Sequence, residues 1–130
     1  SYCGDKITVL SGDDFLTYPI MSVGGHGVIS VAANVIPEGF TKMVAAASSG
    51  EWDEARKLHY KYMDLCKALF IKTNPIPAKT ALAMMGKMQP EFRLPLWHMR
   101  QENEGELAEA LFRHGLIKSR PLYDQRKMAD

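Results

Sequence analysis

Strand-forming stretches are scarce in these 130 residues. Only two stand out, Lys6–Ser11 and Val28–Val31, both in the first quarter of the chain, and almost everything after them reads as helix. Two neighbouring strands do not make a stable sheet alone. A self-sufficient sheet domain is therefore excluded, and the strands are expected to pair with something else or to belong to the end of a larger protein. Cysteine is nearly missing as well: Cys3 and Cys66 make no ligand pattern and read as reduced thiols. Excess charge of one sign is lacking. A formal net charge of +1 gives no electrostatic footprint for nucleic acid. No apolar run approaches the roughly 18–20 residues of a membrane span, so no membrane partner is expected. Gly4, Asp5 and Lys6 interrupt the opening residues, so no signal peptide is expected and the reading is cytoplasmic. No Ser/His/Asp or Cys/His triad is visible, and four scattered histidines do not make a metal site.

What is present reads as one α/β unit followed by helices. The first strand, with Ile7, Val9 and Leu10, ends in the small acidic turn Gly12-Asp13-Asp14. A helix from about Thr17 follows, then the continuous apolar strand Val28–Val31, as expected of a strand covered on both faces. The next helix should run from Pro37 to Ser48, with Pro37 at its first position and Gly50 as its left-handed cap. Ala55, Leu58, Tyr62, Leu65, Cys66 and Leu69 form a stripe at helical spacing, which predicts a long helix from Glu51 to about Ile71. Asn74-Pro75-Ile76-Pro77 must stop it. Another helix should start at Pro77 and end or bend at Gly86. The last should start at Asn103, with Glu106 completing a capping box, and stop at Gly115. Strand–helix–strand–helix order implies parallel strands, and in such folds chemistry sits where strands end.

That rule singles out Gly12, Asp13 and Asp14 after the first strand and Ala32, Ala33 and Asn34 after the second. Asp13-Asp14 reads either as an acid/base pair or half a metal site, or as a helix cap. Gly12 is the better functional candidate, because a glycine at a strand's end lets a ligand approach the backbone. Gly24-Gly25-His26-Gly27 has phosphate-loop composition, but it precedes a strand and its spacing misses the dinucleotide fingerprint. His26 reads as an exposed turn residue, and His59 and Lys67 as surface residues. Asn74 is either a ligand contact or a helix-ending residue. Lys72 and Lys79 read as solvated or ion-paired rather than as Schiff-base lysines.

Four pieces in order carry a resemblance: Leu10-Ser11-Gly12-Asp13-Asp14, Gly24 through Val35, Asn74-Pro75-Ile76-Pro77-Ala78-Lys79 and Arg93-Leu94-Pro95-Leu96. Together they resemble the carboxy-terminal part of the dihydrodipicolinate synthase family, within the pyruvate-dependent class I aldolase and N-acetylneuraminate lyase superfamily. The resemblance implies the last two strands and helices of a (β/α)8 TIM barrel plus a C-terminal helical domain. Residues 1–50 would hold the two β/α units, 51–116 the helical domain and 117–130 a polar tail. It implies condensation of pyruvate with aspartate semialdehyde, on the lysine and diaminopimelate branch of amino-acid biosynthesis. The pyruvate imine would form on a lysine outside this chain, with no other cofactor, no metal and no catalytic residue within these 130. Gly12 and Ile29 match positions lining the pyruvate pocket, and Asp13 and Asn74 positions near the second substrate. The implied partners are the N-terminal portion of the same barrel and further copies, as a homotetramer. Lys72, Ala78, Ala32 and Trp97-His98 depart from the family's usual residues. They leave the exact substrate open, to another pyruvate-dependent aldolase; a second alternative is a non-catalytic assembly piece derived from a barrel, which would expose strand edges and self-associate.

Overall fold

A computed structural model describes residues 4–119. Cys3 and most of the expected tail at 117–130 lie outside the described residues. Leu10–Ser11 (β1), Thr17–Ser22 (α1), Gly27–Val28 (β2), Pro37–Ser48 (α2), Trp52–Leu69 (α3), Ile76–Met84 (α4) and Gln101–Arg113 (α5) follow in order, with 3-10 turns at Gly4–Lys6 and Ala32–Asn34. The chain divides into two compact units between Cys66 and Lys67, inside α3.

In the first unit β1 and β2 pair in parallel, Leu10 opposite Gly27 and Ser11 opposite Val28. The His26 N–H donates to Val9 O (2.9 Å) and the Ile29 N–H to Ser11 O (2.8 Å), which extends the register by one bond at each end. Both strands are shorter than the sequence predicts. Instead of Lys6–Ser11, β1 covers two residues and Gly4–Lys6 coils, because the described residues give Ile7 and Val9 no further strand to pair with, and both are half exposed. Instead of Val28–Val31, β2 stops at Val28. Beyond it the chain turns: Asp14 Oδ2 takes the Ala32 N–H and Ser30 Oγ the Ala33 N–H.

Helix α1 packs on both strands and on α2. Met21 from α1, Ala46 and Ala47 from α2 and Ala55 from α3 make a small buried cluster, with Tyr18 and Val44 against it. In the second unit α4 packs against α5, with Ala78 and Ala81 buried on one and Leu107 and Leu111 on the other.

Four helices end alike. After α1, α2, α4 and α5 stand Gly24, Gly50, Gly86 and Gly115, each at positive φ. In each case the next residue's N–H reaches back five residues, as Gly25 does to Ile20 O (2.8 Å) and Glu51 to Ala46 O (2.8 Å). This is the Schellman closure, which satisfies carbonyls the helix leaves open. Three of the four stops were predicted; Gly24 was read only as part of a loop before a strand. The expected capping box at Asn103 and Glu106 is not formed. Helix α5 starts at Gln101, with Arg100 as an N-cap that makes no side-chain bond, and Asn103 lies inside the helix. Glu102 and Glu104 in its first turn favour the earlier start by facing the positive end of the helix dipole. Helix α3 is trimmed to Trp52–Leu69.

Gly25 tolerates no side chain for a steric reason: a Cβ there would lie 2.8 Å from Ile20 O and 2.5 Å from Ile20 Cγ2. A Cβ on Gly12 would meet nothing within 4 Å. Gly25→Ala is therefore expected to lower unfolding free energy by about 1–3 kcal/mol, and Gly12→Ala by less than about 0.5 kcal/mol. Equal denaturation midpoints for the two would refute this account of the glycine run.

Cys66 is buried on α3, and burial first, then the negative charges of Asp14, Asp64 and Asp13, push its thiol up to about 12. The thiolate is the reactive form, so alkylation by iodoacetamide near pH 8 should be roughly a thousandfold slower in the native protein than in urea. Mass spectrometry of the Cys66 peptide after timed quenching reads both rates, and similar rates would contradict the burial.

Candidate functional site

At the carboxy end of β1 the chain makes a tightly bonded turn. Ser11 is buried, its Oγ donating to Asp13 O (2.7 Å) and accepting the Asp13 N–H (3.1 Å). Asp13 Oδ1 accepts the N–H groups of Phe15 (2.7 Å) and Leu16 (3.3 Å). Thr17, fully buried, donates its hydroxyl to Asp13 O (3.1 Å). The expectation that an aspartate caps α1 is corrected here. Leu16 is the N-cap residue and makes no side-chain bond; Asp13 instead closes the turn one step earlier, and Asp14 points to a different task.

Asp14 is 2% exposed, and its Oδ2 accepts the Ala32 N–H at 2.9 Å, across 18 positions of sequence. It fastens the turn after β1 to the turn after β2. Adjacent Asp13 and Asp14 therefore serve different partners, not one acid/base centre. The second turn is held by Ser30, whose Oγ accepts the Ala33 N–H (2.8 Å), and by Asn34, whose Nδ2 donates to Val31 O (3.0 Å).

These bonds place Gly12 and Ile29 side by side, since the Ile29 N–H donates to the carbonyl of Ser11, the residue before Gly12. Gly12 is exposed with open space where a side chain would stand, and its φ is one any residue adopts. Packing gives no reason for a glycine here. Ile29 leaves its side chain 72% exposed beside it. Backbone that a ligand can reach and an apolar side chain next to it are the parts of a site for a small molecule with a polar and an apolar end. Asn74 belongs to the second unit, exposed in the turn between α3 and α4. Sequence reasoning left out the ties made by Ser11 and Ser30 and gave Asp14 no partner across the fold; small hydroxyl residues flanking the strand ends were the available signal.

The other reactive side chains have structural roles. Lys79 Nζ donates to Glu91 O and lies 5.2 Å from the centre of the Phe92 ring, and Lys72 is exposed. His59, expected at the surface, is half buried and stacks on Tyr18 with ring centres 5.4 Å apart; burial pushes its pKa down. Burial pushes the Glu104 carboxyl up, opposed by nearby His98. Among the described residues no three His, Cys, Asp or Glu side chains gather where a metal ion could be held.

Comparison with known proteins converges on one family. The family model described as the dihydrodipicolinate synthetase family matches residues 1–113. A 4-hydroxy-tetrahydrodipicolinate synthase of Thermodesulfovibrio yellowstonii is 58% identical over 116 residues, covering 89% of this chain and 40% of the relative. One of Methanocaldococcus jannaschii is 54% identical over 112 residues, covering 86% and 39%. The crystal structure of dihydrodipicolinate synthase from Aquifex aeolicus superposes with a TM-score of 0.86 at 50% identity, over 89% of this chain and 40% of that one. The Thermotoga maritima structure gives 0.86 at 39% identity, over 89% and 39%. The chain thus spans about 40% of the length of the curated relatives it matches. The parallel βαβα arrangement and the helices after it are part of a TIM-barrel fold. On the match across residues 1–113, the chain belongs to the dihydrodipicolinate synthetase family.

Proposed function

We propose that the intact protein is a lyase that condenses pyruvate with aspartate semialdehyde in lysine and diaminopimelate biosynthesis, and that this chain supplies one wall of its pocket. The observation that carries the reading is the pair Gly12 and Ile29, an open backbone and an exposed apolar side chain locked together at the ends of two parallel strands. In this reading pyruvate is held as an imine on a lysine outside these 130 residues. Gly12 offers backbone to its carboxylate end and Ile29 an apolar wall to its methyl. Asp13, kept in place by its bonds to the turn, and Asn74 face the second substrate. Residues 1–50 are then barrel, 51–116 the C-terminal helical domain and 117–130 a polar tail. The half-exposed Ile7, Val9 and Leu10 support pairing of β1 with the remaining strands of the same barrel. A cytoplasmic homotetramer is the assembly that accompanies this reading.

The first test is borohydride trapping of the intact protein with pyruvate, followed by peptide mass spectrometry. The adduct is expected on a lysine outside residues 1–130, and residues 1–130 alone should give no adduct and no condensation. An adduct on Lys72 or Lys79 would overturn the assignment. Turnover of pyruvate with another aldehyde, and none with aspartate semialdehyde, would favour a different aldolase of the superfamily.

A second test uses the open space at Gly12. Gly12→Val is expected to leave the melting temperature unchanged and to lower kcat/KM for pyruvate by about tenfold or more, roughly 1.4 kcal/mol of transition-state stabilisation. Unchanged kcat/KM would remove Gly12 from the pocket.

A further inference from the structure

Behind the turn that carries Gly12 and Asp13 lies a cavity of ≈ 10 Å³, with Asp14, Phe40, Met43, His59, Tyr62 and Cys66 among its walls. Asp14 reaches it from the turn, Phe40 and Met43 from α2, and His59, Tyr62 and Cys66 from α3. One oxygen of Asp14, Oδ2, holds the Ala32 N–H. The other, Oδ1, is equally shut away from solvent, and no described residue donates to it. A buried carboxylate oxygen without a donor is strongly unfavourable, and protein interiors meet such atoms with internal water.

The size and chemistry of the cavity narrow the occupant. About 10–15 Å³ is room for one water and no more. A hard cation needs around six oxygen ligands, which walls of Phe40, Met43 and Cys66 do not supply. A water needs two to four polar partners. Besides Asp14, the His59 ring, the Tyr62 hydroxyl and the Cys66 sulfur stand on the α3 wall. Burial keeps His59 in its neutral form to lower pH, and a neutral imidazole has a nitrogen that accepts.

We propose that this cavity is an internal water site, in which one water molecule donates to Asp14 Oδ1 and hydrogen-bonds to a polar group on α3. The carboxylate then works with both oxygens. Oδ2 ties the two strand-end turns together, and Oδ1, through the water, braces them against α3. This stands whether or not the proposed reaction is right, since it rests only on the buried Asp14 carboxylate and the walls of the cavity.

The test is a crystal structure of the intact protein at a resolution that shows ordered water. One peak is expected in the cavity, about 2.6–3.1 Å from Asp14 Oδ1. A cavity without density would overturn the proposal. So would rotation of His59, Tyr62 or Cys66 into a direct bond to Oδ1. Asp14→Asn supplies a solution readout. Its amide oxygen can keep the Ala32 N–H while its NH2 donates to the water, so the melting temperature should stay within about 4 °C of wild type. With no water present, the wild-type carboxylate oxygen would itself be unpaired, and its replacement by a neutral amide would raise the melting temperature by more than that. The wild-type crystal decides the matter even if the variant fails to fold.

Discussion

The bond from the Ala32 N–H to Asp14 Oδ2 is the constraint on which the strand ends depend. Parallel pairing alone gives β1 and β2 two residues each, too little to hold a register against slippage. The Asp14 carboxylate adds a long-range tie just past the ladder, in a buried setting where a charge-assisted bond is stronger than in water. Ser11, Ser30 and Asn34 fill in the same pattern locally. What emerges is a pair of stiff turns with an open face at Gly12 and Ile29, whose rigidity comes from polar side chains turned inward.

The helices around these turns are stopped by one device repeated four times. Each Schellman closure needs a residue at positive φ, where glycine alone has no steric penalty. After α1 the device does a second job. Gly24 supplies the left-handed turn, and Gly25 passes so close to Ile20 that no Cβ fits, which lets the chain enter β2 directly from the helix end. The glycine-rich composition that resembles a phosphate loop is thus accounted for by helix termination and close backbone packing.

Two glycines thirteen residues apart therefore carry opposite meanings. Gly25 is a glycine because the interior has no room. Gly12 stands where there is room for a side chain, so packing among the described residues does not account for its smallness. The exposed Ile29 lies beside it at the end of the second strand. The same contrast separates the two aspartates. Asp13 is half buried with its carboxylate tethered by the turn, while Asp14 is buried and reaches across to Ala32.

Much of this was legible in the residues themselves. Pro37 and Gly50 marked both ends of α2, because a ring-locked φ and a left-handed cap are local properties of single residues. The α3 stripe, the stops at Gly86 and Gly115 and the placement of Gly12 at a strand's end were read from spacing in the same way. The four ordered motifs sufficed to indicate the family. Strand lengths were not legible, because they depend on which neighbouring strands are there to pair with, and among the described residues β1 and β2 have only each other. The start of α5 was misjudged because a capping pattern at Asn103 competes with the attraction of Glu102 and Glu104 to the helix end. The sequence by itself determined the order of elements and the stops of α2, α4 and α5, which follow from local backbone chemistry. Only the tertiary structure decided that Asp13 and Asp14 part company, that Gly12 is open while Gly25 is crowded, and that His59 is packed in. Those outcomes depend on atoms far apart in the chain meeting across the fold.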